Sequence, residues 1–202
     1  MRQWLILLAI LALLSACAPG SPLPFHESFD DARNGWTLAQ STQADIDIAG
    51  GQLRIAVKLS DSLAWSVAAG KTFDDFTLDV DATPLAGPDD NDYGVVVRHV
   101  DDQNFYRFEI SSDGYYNVQK RENGQWHNLT TDWVESNAIR KGAVTNHLRV
   151  VCAGATLTFY VNQIGLVQVT DYAFKRGAIG VLAGTLAEPG VQVAFDNLVV
   201  SK

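Results

Sequence analysis

Apolar and polar residues alternate through most of the chain from residue 25 onward. Leu53, Ile55 and Val57 alternate with polar or small residues, and the same pattern returns over residues 76–83. A period of two places successive side chains on opposite faces of a strand, so each run predicts a strand with one buried face. In the middle of the chain the predicted buried set is Val95, Val97, Tyr106, Phe108, Ile110, Tyr116 and Val118.

Short turn motifs separate these runs. Asp113-Gly114 lies between predicted strands 104–111 and 115–121, and Asn123-Gly124 follows the second. Both pairs supply the positive φ angles that tight hairpins require. Residues 171–176, ended by Gly177, predict a single helical turn. Many short strands with almost no helix predict an all-β antiparallel sandwich or barrel.

The first residues follow a different pattern. Arg2 precedes an apolar run at 4–14, which is too short to span a bilayer and ends at Leu14-Ser-Ala-Cys17. This motif resembles the lipobox of bacterial lipoproteins, in which the cysteine becomes a diacylated first residue; an ordinary secretory signal is the alternative. The resemblance implies a signal peptide at 1–16. Residues 17–24 hold three prolines and a glycine and predict a tether, and the length and pattern of residues 25–202 predict one domain. The resemblance also implies membrane attachment through lipid on Cys17, in the bacterial cell envelope and outside the cytoplasm.

Charge and cysteine content narrow the function classes. The net charge of −8 disfavours binding to nucleic acid, whose backbone is anionic. If Cys17 carries lipid, Cys152 has no intramolecular disulfide partner. Because Cys152 alternates in phase with Leu148 and Val150, we expect a buried structural thiol there.

A set of motifs spread over the domain resembles a known superfamily. The motifs are Phe29-Asp-Asp31 with Gly35-Trp36, residues 93–98, residues 104–110, Gly124-Gln-Trp126, Gly177-Ala-Ile-Gly180 and residues 195–198. Together they resemble the concanavalin A-like lectin/glucanase superfamily, especially its laminin-G-like and 3-keto-disaccharide-hydrolase-like branches. The resemblance covers residues 25–200 and implies a two-sheet antiparallel jelly roll with one concave sheet. It also implies that the first and last strands lie side by side.

No catalytic residue is predicted from the sequence. Family-16-like glycosidases of this superfamily carry Glu-x-Asp-x-x-Glu on one strand, and the chain contains no such run. Asp79 and Asp81 are interpreted as solvated strand aspartates, and the four histidines lack metal-ligand spacing. An enzyme of the 3-keto-disaccharide-hydrolase-like branch remains the alternative. Two carboxylates paired in a cleft, one with its pKa raised by burial, would favour it.

The polar face of the middle strands is the predicted binding site, with carbohydrate as the expected ligand. Arginine and amide side chains hydrogen-bond sugar hydroxyls, while aromatic rings stack on pyranose faces. The alternatives are a solvated sheet held by cross-strand ion pairs and an adhesive lipoprotein with a protein partner. The predicted ligand-binding residues are Arg98, Phe105, Arg107, Glu109, Tyr115, Asn117 and Gln119.

Two further groups carry weaker predictions. Asp89, Asp90 and Asp92 follow Gly87-Pro88 and are a candidate Ca²⁺ site, since calcium prefers carboxylate oxygens; an acidic surface turn is the alternative. Among the tryptophans, Trp36 and Trp65 are predicted to lie in the core. Trp126 and Trp133 flank a polar stretch and are either stacking platforms or hairpin-packing residues.

Overall fold

The computed structural model describes residues 20–202, which form sixteen β-strands and no α-helix. The strands are β1 Phe25–Glu27, β2 Ala39–Gln40, β3 Ala44–Ile48, β4 Leu53–Val57, β5 Ser62–Val67, β6 Phe76–Ala86, β7 Asp92–Asp101, β8 Asn104–Ser111, β9 Tyr115–Glu122, β10 Gln125–Asn128, β11 Val134–Glu135, β12 Asn146–Ala153, β13 Thr156–Val161, β14 Ile164–Thr170, β15 Ala178–Thr185 and β16 Gln192–Ser201. The predicted signal peptide and Cys17 lie outside the described residues. Residues 20–202 contain no helix long and apolar enough to cross a membrane.

The strands form two antiparallel sheets. The nine-stranded sheet has the order β14-β13-β12-β6-β16-β4-β3-β2, with β1 paired to β16. The seven-stranded sheet has the order β10-β9-β8-β7-β15-β5, with β11 beside β9. The predicted all-β sandwich is confirmed. The first and last strands are neighbours, with Phe25 opposite Val200.

The main core lies between the two sheets. The inward residues predicted for the middle strands are all buried there, with Tyr116 the most exposed of them at 8%. Phe108 of one sheet meets Phe159 of the other edge to face, with ring centres 5.5 Å apart. Cys152 is a buried free thiol, as predicted, and burial raises its pKa to about 12. This thiol is therefore protonated and unreactive at neutral pH.

The hairpin turns agree with the sequence, but the short helix does not form. Gly114, Asn123 and Gly124 all have positive φ. The helical turn predicted at 171–176 is wrong, because these residues form an irregular loop. The Tyr106 hydroxyl donates to Asp171 Oδ1 at 2.6 Å and accepts from the Phe174 amide at 3.1 Å. These bonds from the sheet hold the loop in an irregular, non-helical conformation.

Candidate functional site

The outer face of the seven-stranded sheet, pointing away from the main core, carries most of the predicted ligand-binding side chains. Strand register sets Val96 opposite Arg107 and Arg107 opposite Gln119. Glu109 likewise lies opposite Asn117. Since directly opposed residues point to the same side of a sheet, the structure brings these polar side chains together on one surface.

Arg98 does not join this surface. A β-bulge interrupts the pairing of β7 after Val97, and Arg98 sits in it with φ of 50°. The extra residue reverses the alternation, so Arg98 turns to the end of the sandwich and is 1% exposed. The prediction that it faces with Arg107 is wrong. His99 takes the outer position instead and stacks on Phe105 at 5.5 Å.

A second apolar cluster lies on the outer face. Val96, Phe105 and Leu182 are completely buried there, beneath the partly exposed Leu63, Trp65 and Val67. Because these three side chains point away from the main core, only residues on the outer face itself cover them. This sheet therefore buries apolar side chains on both of its faces, and its outer face also carries the polar side chains described above.

Two tryptophans flank the buried ring of Phe105. Trp65 lies 5.5 Å from it, and Trp126 meets it edge-on at 5.6 Å. We call Trp65, Phe105 and Trp126 the aromatic platform. The prediction of Trp65 as a core residue is wrong, because the smaller Ala64 and Ser66 take the inward positions of β5. Trp126 is 40% exposed, as a stacking residue would be.

The polar side chains beside the platform are bonded to one another. Arg107 Nε donates to Gln119 Oε1 at 2.8 Å, and Gln119 donates in turn to Asn128. The Arg107 guanidinium also lies 4.2 Å from the centre of the Trp126 ring, within cation–π distance. These contacts fix the position of Trp126. Their first effect is thus to organise the platform.

Two carboxyl groups lie beneath Arg107. Glu109 is completely buried, and neither of its oxygens accepts a hydrogen bond from residues 20–202. Arg107 Nη1 lies 3.2 Å from Glu109 Oε2 and 3.9 Å from Asp92 Oδ2. Burial raises the pKa of Glu109 well above its ordinary range; the Arg107 charge opposes this, and the Asp92 carboxylate adds to it. Burial therefore favours the neutral form of the Glu109 carboxyl group.

Two open clefts run along the platform. One, of about 280 Å³, is lined by Thr37, Leu63, Trp65 and Asp102 among others. The second, of about 290 Å³, is lined by residues that include Leu63, Arg107 and Trp126. Leu63 lines both clefts, so they are neighbours; Trp65 lines the first and Trp126 the second. We call the two clefts together the platform groove; Asp102, 77% exposed, accepts from the Trp65 indole at 3.2 Å on its margin.

The predicted calcium residues are not brought together. Asp92 opens β7 and lies on the sheet beside Arg107, whereas Asp89 and Asp90 lie in the preceding turn. Asp90 lines a separate small cleft with Tyr115 and Trp133. Across residues 20–202, no three histidine, cysteine, aspartate or glutamate side chains form a group able to hold a metal ion.

The two remaining predicted residues lie at the far side of the same face. Asn117 is buried and accepts from Thr130 Oγ1 at 2.6 Å, so its carbonyl is already satisfied. Tyr115 is partly exposed and pairs with Glu135 at the rim. Neither residue lines the platform groove.

The comparisons with known proteins identify the fold through structural similarity and find no match in sequence. By sequence, the chain matches no protein-family model and no curated protein. By structure, it is similar to the carbohydrate-binding module CBM66 from Bacillus subtilis, with a TM-score of 0.67 and 17% identity over 84% of this chain and 96% of that one. It is also similar to the Bacillus licheniformis beta-glucanase, with a TM-score of 0.59 and 13% identity over 91% and 99% of the two chains. The chain has the two-sheet jelly-roll fold of these structures.

A third solved structure has the same fold and no assigned role. It is a Bacillus subtilis protein of unknown function with a galectin-like fold, at a TM-score of 0.63 and 11% identity over 88% of this chain and 94% of that one. At such identities, likeness establishes the jelly roll and leaves the site to be argued from its own residues.

Proposed function

We propose that this jelly roll is a non-catalytic carbohydrate-binding module whose ligand lies in the platform groove. The observation that carries the proposal is the pair of partly exposed tryptophans on either side of buried Phe105. Its structural likeness to a carbohydrate-binding module supports it.

The chemistry of the groove suits a sugar ring. Tryptophan offers a large, rigid apolar face at low entropic cost, matching the apolar C–H face of a pyranose. The margins supply hydroxyl partners: Asp102 as an acceptor beside Trp65, and Arg121 as a donor 5.3 Å from the Trp126 ring centre. The aromatic rings therefore supply affinity, and the charged margins orient the sugar.

The test is a glycan array probed with the full-length protein in mild detergent, with and without calcium. The double variant Trp65→Ala/Trp126→Ala should lose at least about 30-fold in affinity for any glycan retained, the size expected for a hot spot of about 2 kcal/mol. Tyr160→Ala is the matched control, since it removes an aromatic ring from the outer face of the other sheet. Equal binding by the double variant and the control refutes the platform as the site.

A second candidate function, glycoside hydrolysis, is favoured by the buried acid pair. Glu109, whose pKa is raised by burial, lies with Asp92 next to Arg107 and resembles one of the two carboxyl groups that a glycosidase needs. Burial counts against it, because Glu109 is completely covered and a glycosidic oxygen must reach the acid. Release of reducing sugar by the wild type, abolished in Glu109→Gln, would establish the enzyme. Binding without release supports the module.

We further propose that the module is held in the bacterial cell envelope by lipid on Cys17. The sequence motif at 14–17 carries this proposal. The described chain begins close behind it, where the Ser21 amide donates to the Thr72 carbonyl at 2.7 Å. Cys17→Ser should move the protein from the membrane fraction to the aqueous phase on detergent partition. Retention in the membrane fraction would exclude the lipid on Cys17 as the anchor.

A further inference from the structure

One cavity lies away from the platform groove, at the end of the sandwich where the bulge directs Arg98. It has a volume of about 560 Å³, within the range of small-molecule sites. Its lining shares no residue with the two clefts of the platform groove. The walls include Asp75, Arg98, Gly154, Asp171, Tyr172 and Phe174.

The guanidinium of Arg98 is buried in this wall with incomplete partners. Nη1 donates to the Phe174 carbonyl at 2.9 Å, and Nη2 donates to the Asp74 carbonyl at 3.2 Å. Nε has no hydrogen-bond partner within residues 20–202. A buried charged donor without an acceptor is costly, so this position favours a ligand that supplies one.

The one carboxylate that contacts Arg98 neutralises it weakly. Asp75 Oδ1 lies 3.3 Å from Arg98 Nη2, and the Asp75 side chain is 64% exposed. The same oxygen also accepts from the Gly154 amide at 2.8 Å. Water screens an exposed carboxylate, so the buried guanidinium keeps much of its positive field.

The other acidic groups of the cavity are committed elsewhere. Asp171 Oδ2 accepts from Lys120 at 2.9 Å; partial burial opposes ionisation, but bonds from Tyr106 and Lys120 lower the pKa of Asp171 overall. Asp74 pairs with Arg176 at 3.1 Å. Lys175 lines the cavity and is exposed. Two cationic side chains, Arg98 within and Lys175 at the rim, are thus available to an anion.

We propose that this cavity binds a small sugar acid of the hexuronate class, with its carboxylate directed toward the charge of the buried Arg98 guanidinium and toward the exposed Lys175. Aromatic side chains complete the site, because Tyr172 is 76% exposed on the cavity wall and Phe174 lies beside it. A carboxylate supplies a negative charge and hydrogen-bond acceptors opposite the Arg98 guanidinium, and a sugar ring fits the apolar and aromatic surface. The site is separate from the platform groove and does not depend on the function proposed for it.

The direct test is nitrogen-15 NMR of the arginine Nε–H signals of the full-length protein in mild detergent. Glucuronate should shift the Arg98 signal, identified by its loss in Arg98→Lys, while glucose should leave it in place. At low salt Lys175→Gln should weaken glucuronate binding about two- to fivefold, as expected for an exposed charge. Lys58→Gln is the control and should have no effect, because it removes an exposed lysine that pairs with Asp45 on the nine-stranded sheet.

Each result decides the proposal. An unshifted Arg98 signal at saturating glucuronate overturns it, and so does an equal response to glucose. If Arg98→Lys does not fold, the loss of affinity in Lys175→Gln still locates the ligand. The Trp65→Ala/Trp126→Ala variant must keep the glucuronate response. Its loss there would assign the ligand to the platform groove and refute a second site.

Discussion

The outer faces of the two sheets have similar sequence patterns and different chemistry. On the nine-stranded sheet, His147 Nδ1 lies 2.8 Å from Asp81 and its Nε2 lies 2.9 Å from Asp79, which also accepts from Arg149 at 2.7 Å. These side chains are 15–45% exposed and bonded to one another. Within residues 20–202, the hydrophobic cluster that is separate from the main core lies on the other sheet.

On the seven-stranded sheet, charged groups lie over a buried apolar layer. Arg107 is 14% exposed and rests against Trp126, while Phe105 beneath is completely buried. The comparison teaches that alternation locates an outer face without revealing its use. Outward aromatic residues packed around the buried ring of Phe105 distinguish the proposed binding surface from the solvated one, and that difference can be tested by substitution.

The largest expected effect comes from removing the buried ring of the platform. Phe105→Ala should lower the free energy of unfolding by about 3–5 kcal/mol, as for a core residue. Val151→Ala, at a partly buried outward position of the nine-stranded sheet, should cost less than about 1.5 kcal/mol. Urea unfolding measures both. Similar small losses at the two positions would show that the faces do not differ.

A smaller effect is expected from the buried acid. The raised pKa of Glu109 means that the folded state holds its proton more tightly than the unfolded state. Wild-type stability should therefore fall as pH rises above the ordinary glutamate value of about 4.5. Glu109→Gln removes this proton linkage, so the variant should gain on the wild type between pH 4 and pH 8, by roughly 1 kcal/mol.

Thermal melts across this pH range measure the gain. Glu135→Gln is the control, because that carboxylate is 58% exposed. A Glu109→Gln variant that loses stability relative to the wild type as pH rises would mean that Glu109 is ionised in the folded protein.

The smallest effect is expected on the solvated face. Asp79→Asn weakens two partly exposed contacts, to the His147 ring and to the Arg149 guanidinium, and should cost at most about 1 kcal/mol. The cost should shrink in 1 M salt because screening weakens exposed charges. Differential melting at low and high salt checks this. A loss as large as that of Phe105→Ala would make the ion pairs as important as the buried aromatic layer.

Most of the fold follows from the sequence, because period two and turn residues are local signals. The hairpin of β8 and β9 and the burial of Cys152 were both predictable in this way. Arg98 was misplaced because one bulge residue reverses every later position, and no local pattern marks it. Trp65 was misplaced because β5 turns its large apolar side chains, Leu63, Trp65 and Val67, outward and places the small Ala64 and Ser66 inward.

The candidate site was predictable only in part. The shared face of Arg107, Glu109 and Gln119 follows from alternation, but the hydrogen bond from Gln119 to Asn128 also requires the position of β10. In the sequence, Glu109 has the same outward, polar position as Arg107 and Gln119, but in the fold its side chain is completely buried. Burial arises from tertiary packing, so the raised pKa of its carboxyl has no local signal.

The most direct measurement is the indole N–H spectrum of the tryptophan-labelled, full-length protein during titration with a glycan that it retains. Binding in the platform groove should shift the Trp65 and Trp126 signals together. The Trp36 signal should stay fixed, since that indole is 5% exposed and donates to Glu27 at 2.7 Å. Saturation with no change at Trp65 and Trp126 would contradict the assignment of carbohydrate binding to this face.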